Sequence, residues 1–235
     1  MQIIPALLTL NTNDLYKQIQ NLSLFFKRFQ IDIADGKFVP NSTVQIESLL
    51  QDCEHWDDAI KKECVFDFHL MVEDYEKEIE KIKLIQDKLT VDTVFIHVSR
   101  IMASHNSYED QPFQVGMVLN PEDSVETFQR NIETLQRYTE TFQRNVSTNN
   151  IDAVQIMTVN PGFQGQPFLP EQLEKIKELR INGFTKNIFI DGGINDQSLP
   201  LIKQLEYKPD FLCIGSYLTH AENITDQLKT VTSLD

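Results

Sequence analysis

Cationic side chains are scarce in this sequence: 21 Lys and Arg stand against 35 Asp and Glu, a formal net charge of −14. Binding to a nucleic-acid backbone relies on an excess of Lys and Arg, so the composition argues against nucleic acid as a partner. The same imbalance repels an anionic small molecule at long range. A phosphate site would therefore have to be built locally from backbone N–H groups. Cysteine is equally sparse. Cys53, Cys64 and Cys213 are scattered without CxxC spacing, which leaves neither a disulfide framework nor a zinc knuckle and suits reduced thiols in a cytoplasmic protein. No apolar run approaches the roughly 18 residues that a membrane span needs. The opening MQIIPALLTLNTND lacks a basic n-region and a small-residue cleavage site, so it reads as a buried first strand rather than a signal peptide. Trp56 stands alone and carries no functional signal.

What is present is a globular composition, 41% hydrophobic over 235 residues. Short β-branched or apolar runs alternate with helical patterns, as βα units of a parallel sheet require. The runs are Ile3–Leu8, Phe29–Ile33, Val65–Leu70, Thr93–Val98, Val115–Leu119, Ala153–Val159, Ile188–Asp191 and Phe211–Gly215. Helices are expected after Asn13 (Leu15–Phe26), after Asp74 (to Lys88) and after Pro167 (Glu171–Leu179). Eight strands in regular alternation favour an α/β fold of the closed (β/α)8 TIM-barrel type over a doubly wound open sheet. Such a barrel takes about 250 residues, so residues 1–235 are expected to form one domain.

One stretch repeats itself. Glu126–Ile132, Glu133–Thr139 and Glu140–Val146 are three near-identical heptads, with Val125, Phe128, Ile132, Leu135, Thr139, Phe142 and Val146 forming one apolar stripe. The simpler reading is a lengthened outer helix packed on the barrel; the alternative is a helix projecting into a subunit contact. The Glu/Lys run Glu76–Lys88 reads as a solvated helix face with i,i+4 pairs.

In a parallel barrel, functional groups gather at the carboxyl ends of the strands. Strand two there offers Gln30, Asp32 and Asp35-Gly36, strand three His69, and strand seven Asp191-Gly192-Gly193. Strand six leads into Asn160-Pro161-Gly162-Phe163-Gln164-Gly165-Gln166, and strand eight into Gly215-Ser216. Asp32 and Asp191 sit in apolar strands, where a carboxylate is costly unless paired or metal-bound. Glycine turns after strands seven and eight occupy the usual phosphate position of such barrels. The loop Gly162–Gln166 could form a flap over the ligand. His97 reads as a structural strand histidine; His55, His105 and His220 show no ligand spacing, and Cys213 as packing.

Asp32–Asn41 (DIADGKFVPN) resembles the DVMDGHFVPN segment of the ribulose-phosphate 3-epimerase family. His69–Val72 is similar to its HLMV, Val118–Pro121 to its ALNP, Met157–Gln166 to its M-S/T-V-N/D-P-G-F-x-G-Q, Asp191–Asn195 to DGGIN, and Gly215-Ser216 to the closing G-S/T. The allulose 6-phosphate branch is also similar, through MTV-x-PGF-x-GQPF and His220–Asn223. The resemblance runs in order over nearly the whole chain. It implies a ribulose-phosphate-binding barrel and C3 epimerisation of a ketose phosphate, with Asp32 and Asp191 as acid and base on opposite faces of the substrate. It further implies a divalent cation (Zn, Mn, Fe or Co) held by Asp32, His69 and Asp191. Met71 and Met157 would line the substrate. Asn160, Gly162, Gly165, Gly192, Gly193, Gly215 and Ser216 would serve substrate and phosphate. The family commonly assembles, which implies a homo-oligomer.

Three positions depart from the family pattern. Gln30 replaces a metal-ligating histidine, Ala6 a serine and Ala34 a methionine. A glutamine carbonyl is a weaker zinc ligand than imidazole. Two readings therefore stand beside each other: an active 3-epimerase with an altered metal site, or a non-catalytic phosphosugar-binding relative. A different lyase or isomerase of the phosphate-binding barrels is a third, against which the DGKFVPN segment speaks.

Overall fold

The structure, a computed structural model, describes residues 1–101, 111–130 and 151–232. Eight strands form a closed barrel in sequence order: β1 (Gln2–Leu7), β2 (Arg28–Ala34), β3 (Val65–Met71), β4 (Thr90–His97), β5 (Gln114–Leu119), β6 (Ile151–Met157), β7 (Asn187–Asp191) and β8 (Phe211–Ile214). Every neighbouring pair is parallel, including β8 on β1 through Gln2 opposite Phe211. Parallel neighbours need long crossovers, and helices supply them. All eight expected strands are present with ends shifted by a few residues.

Some of the helices begin where polar side chains hold their free N–H groups. Asp74 caps Tyr75–Ile85 by accepting from Lys77 N at 3.2 Å, as the sequence suggests. The first helix is Thr12–Leu22, and its cap is Asn11 rather than Asn13, accepting from Asp14 N at 2.9 Å. Leu15, Ile19 and Leu22 form its buried face at helical spacing. Past Pro167 the chain stays irregular until Pro170, which opens a 3₁₀ turn (Pro170–Leu173) and then the helix Glu174–Ile181. Proline suits such a start because its missing N–H would be unpaired anyway.

Along each strand alternate residues face the helices and the barrel interior. Phe29, Ile31 and Ile33 of β2, with Phe66, Phe68 and Leu70 of β3, join the large core between sheet and helices. Ile4, Phe95, Val118, Met157, Phe189 and Cys213 pack inside the barrel. Gly116 leaves room there: a Cβ on it would lie 2.4 Å from the Phe95 ring. The helix over residues 125–130 buries Val125 and Phe128, whose ring meets Phe184 edge-on. The heptads beyond residue 130 lie outside the described residues.

The interior also carries polar tiers. At the amino end, Arg28 donates to both oxygens of the fully buried Asp67, at 2.7 and 2.9 Å, and pairs with Asp92 at 2.5 Å. Its guanidinium lies over the Phe189 and Phe211 rings, 5.5 and 5.0 Å from their centroids. Above it come Gln30, Gln155 and Cys213, and at the carboxyl end Asp32, His69, His97 and Asp191.

Candidate active site

Period-two alternation places Gln30 and Asp32 of β2, His69 and Met71 of β3, Gln155 and Met157 of β6, and Asp191 of β7 on the interior side. Three of these side chains present one atom each to a single point. His69 Nδ1 lies 3.2 Å from Asp32 Oδ1 and 3.6 Å from Asp191 Oδ2. All three ligand-type atoms fall within 4.8 Å of one another. Two carboxylate oxygens and an imidazole nitrogen are a suitable donor set for a divalent ion. The residues present therefore fit such a cation, with protein ligands on one side and the cavity on the other.

Gln30 shapes this point in a way its position in the sequence does not reveal. Its Nε2 donates to Asp32 Oδ1 at 2.9 Å and to Asp191 Oδ2 at 2.7 Å. Its Oε1 accepts from the Cys213 thiol at 3.2 Å. Cys213 is thus not mere packing: it helps orient the amide. With its nitrogen toward the carboxylates, Gln30 bridges the pair and offers no ligand atom. The opposite orientation would set its oxygen against two carboxylate oxygens, which is favourable only with a cation or proton between them. A second amide, Gln155 Nε2, donates to Asp191 Oδ2 at 3.0 Å. Gln155 escaped the sequence reading, although its place two residues before Met157 gives it the same facing.

The two aspartates are electrostatically linked. Asp191 is pushed up to about 7, first by burial and then by the charge of Asp32, while His69 and the Gln30 amide pull the other way. Two adjacent buried carboxylates resist ionising together, so the site readily holds one proton between them. Asp191 is fixed from behind by Thr158, whose N donates to its carbonyl at 2.7 Å and whose hydroxyl reaches the Gly192 carbonyl at 2.6 Å. Thr43 does the same for β2, donating to the Asp32 carbonyl and accepting from Ala34 N, both at 2.8 Å. Asp35 is a loop residue. It accepts from Lys37, Phe38 and Glu73 N–H groups, which outweigh burial and hold its carboxyl below its usual value.

A cavity of about 400 Å³ opens above the aspartates. Ala6, Met71, Met157, Gly162, Gly165, Gly192, Gly193, Gly215 and Ser216 line it, so nearly all of the expected residues meet there. Asn160 does not: it is exposed and stands outside the cavity wall. Ala34 is buried with Val39 and Met71 against Leu8 and Phe38. Among the described residues, no Lys or Arg lines the wall. Gly192 has φ +110°, and a Cβ on it would lie 2.3 Å from Val159. Only glycine fits so tight a turn. The DGKFVPN and PGFQGQ loops touch across the mouth, where Asn41 Nδ2 donates to the Gly162 carbonyl at 2.6 Å.

A description of the ribulose-phosphate 3 epimerase family matches residues 2–219. The chain belongs to that family. Among curated members, the ribulose-phosphate 3-epimerase of Bacillus subtilis is 30% identical over 196 residues, spanning 79% of this chain and 76% of the relative. That of Methanocaldococcus jannaschii is 30% identical over 215 residues, spanning 86% and 77%. The fold is shared more widely: a KGPDC from Streptococcus mutans, solved in complex with D-R5P, covers 99% of this chain and 95% of its own at a TM-score of 0.66 and 11% identity. Among the described residues no helix is long and apolar enough to cross a membrane.

Proposed function

We propose that this family member epimerises a ketose phosphate at C3, with the ribulose 5-phosphate/xylulose 5-phosphate pair as first candidate and allulose 6-phosphate as second. The observation that carries the reading is the convergence of Asp32 and Asp191 on one amide at the floor of the cavity, from strands two and seven. Inversion at carbon requires a base on one face and an acid on the other. One aspartate, ionised, takes the C3 proton; the other, protonated, returns one to the opposite face. A pair that shares a proton is prepared for both roles, and for the reverse reaction with the roles exchanged.

Asp32, His69 and Asp191 would hold a divalent cation (zinc, manganese, iron or cobalt), which when bound would supply Lewis-acid stabilisation to the enediolate oxygens. Met71 and Met157 offer the substrate polarizable, weakly accepting contacts. Because no Lys or Arg lines the cavity among the described residues, the phosphate would rest on backbone N–H groups and the hydroxyl around Gly192, Gly193, Gly215 and Ser216. Gly162, Gln164 and Gly165 would close over it. The Gln164 amide already lies beside Gly215, where an added Cβ would sit 3.0 Å from its Nε2.

The test is isotopic. Metal-stripped protein is incubated with either sugar phosphate in deuterated water, and single divalent ions are added back. Deuterium at C3 is expected. Measurable ligand binding without exchange, whatever the ion or sugar, would overturn the reading and leave a phosphosugar-binding relative without catalysis. Gln30→His should tighten zinc by about tenfold or more, since even outer-shell partners contribute on that order. Titration against a competing chelator reads this. An unchanged zinc affinity would mean that position 30 does not face the ion.

A further inference from the structure

His97 is the fully buried histidine of β4. Its Nε2 lies 3.0 Å from Nε2 of His69, with the rings stacked at 5.0 Å between centroids and 30° between planes. One proton alone fits between two ring nitrogens at that distance, so one ring donates and the other accepts. Beside His97 stands Asn120, also buried, whose side chain favours a proton on it. His97 Nδ1 and Asn120 Oδ1 are each buried without a hydrogen-bond partner. Phe38 packs on the far side of the His97 ring, 4.6 Å between centroids. The pair His97–His69 therefore ends on the ring atom, His69 Nδ1, that faces Asp32 and Asp191.

We propose that His97, backed by Asn120, is a positioning residue that sets the His69 tautomer and thereby makes His69 Nδ1 a cation ligand. A ligating nitrogen must present its lone pair, which leaves the ring proton on His69 Nε2. That proton is donated to His97 Nε2. His97 must then carry its own proton on Nδ1, and Asn120 Oδ1, likewise without a partner, is the acceptor it would turn to. With the cation point empty, Nδ1 would face carboxylate oxygens and favour an N–H of its own. The same chain then runs in reverse, with His97 Nε2 donating to His69 Nε2. An imidazole suits the middle place because it offers one donor and one acceptor in either tautomer. The role rests on the cation of the proposed function but not on turnover.

The experiment compares wild type, His97→Phe, His97→Gln and Asn120→Leu by zinc affinity, and reads the His69 tautomer from imidazole ¹⁵N–¹H correlation spectra of the zinc-loaded protein. His97→Phe is expected to lose about 10–100-fold in zinc affinity, as outer-shell partners do, and to mix the His69 tautomers. His97→Gln should stay within a few-fold of wild type, because its carbonyl accepts from His69 and its amide donates to Asn120. Asn120→Leu should fall between them. Equal zinc affinity in wild type and His97→Phe, or a His69 Nε2 without its proton in the zinc-loaded wild type, overturns the proposal while leaving the epimerase reading intact. Wild-type protein that takes up no divalent ion would instead remove the cation from the proposed function, and this role with it. A His97→Gln variant as weak as His97→Phe would mean that ring packing, rather than the hydrogen bonds, is what His97 supplies.

Discussion

Asp191→Asn is expected to lower C3 deuterium exchange by about 10³-fold or more, near the upper part of the range for removing a positioned acid or base. Sugar-phosphate binding should stay within a few-fold. The asparagine keeps the volume of Asp191, and its carbonyl can still accept from Gln30 and Gln155, which donate at 2.7 and 3.0 Å. The Gly192-Gly193 turn is held from Thr158 through backbone carbonyls that the substitution leaves in place. What the amide cannot do is exchange a proton with carbon. Exchange followed by proton NMR in deuterated water, beside calorimetric titration with substrate, separates the two effects. Unimpaired exchange would remove Asp191 from the chemistry. A loss of binding equal to the loss of exchange would assign it to ligand recognition.

Arg28→Met is expected to destabilise the fold by about 3–5 kcal/mol at neutral pH, the usual cost of leaving a buried charge without its partner. Asp67 has no exposure, and Arg28 supplies two of its hydrogen bonds. Burial already pushes this carboxyl from 3.8 up to about 6, against the pull of the guanidinium. The sign of the pH dependence follows from that direction. A carboxyl raised in the folded state binds its proton more readily there than in the unfolded chain. Its contribution to stability is greatest below 3.8 and is lost as pH rises through about 6. Without Arg28 the carboxyl rises further, since burial and Asp92 are then opposed only by the Thr93 N–H among the groups acting on it. The gap between variant and wild type should therefore be widest at high pH, narrow as pH falls from the variant's raised value toward about 6, and level off below it. Urea unfolding at pH 8 and pH 5 measures it. The same gap at both values would show that lost packing over Phe189 and Phe211, rather than the stranded charge, is responsible. Asp67→Leu added to Arg28→Met should recover part of the loss, because no buried charge is then left behind.

Some of this protein was legible from residue order alone. Strands of one parallel sheet repeat an apolar pattern at near-constant intervals, so all eight could be placed within a few residues. Within β2 and β7, an aspartate two positions from another interior residue had to face inward, because side chains alternate with a period of two. Asp32, His69 and Asp191 stood out because functional groups gather at strand ends, and the family resemblance implied their roles. The short glycine turns followed as well.

What depends on closure of the barrel could not be read in this way. Gln30 and Asp191 are 161 positions apart in the chain, and Gln30 and Cys213 are 183 apart. That one amide spans both aspartates while resting on a thiol is decided by the stagger of strands around the ring. His97 looked like an ordinary buried histidine until β4 was set against β3. Its Nε2 then fell 3.0 Å from that of His69. Asn160, within the motif Met157–Gln166, is exposed and outside the cavity wall. Periodicity fixes which way a side chain faces, since that is local backbone geometry. Which groups then meet depends on the register between strands, and the register is settled only when the whole sheet closes and packs.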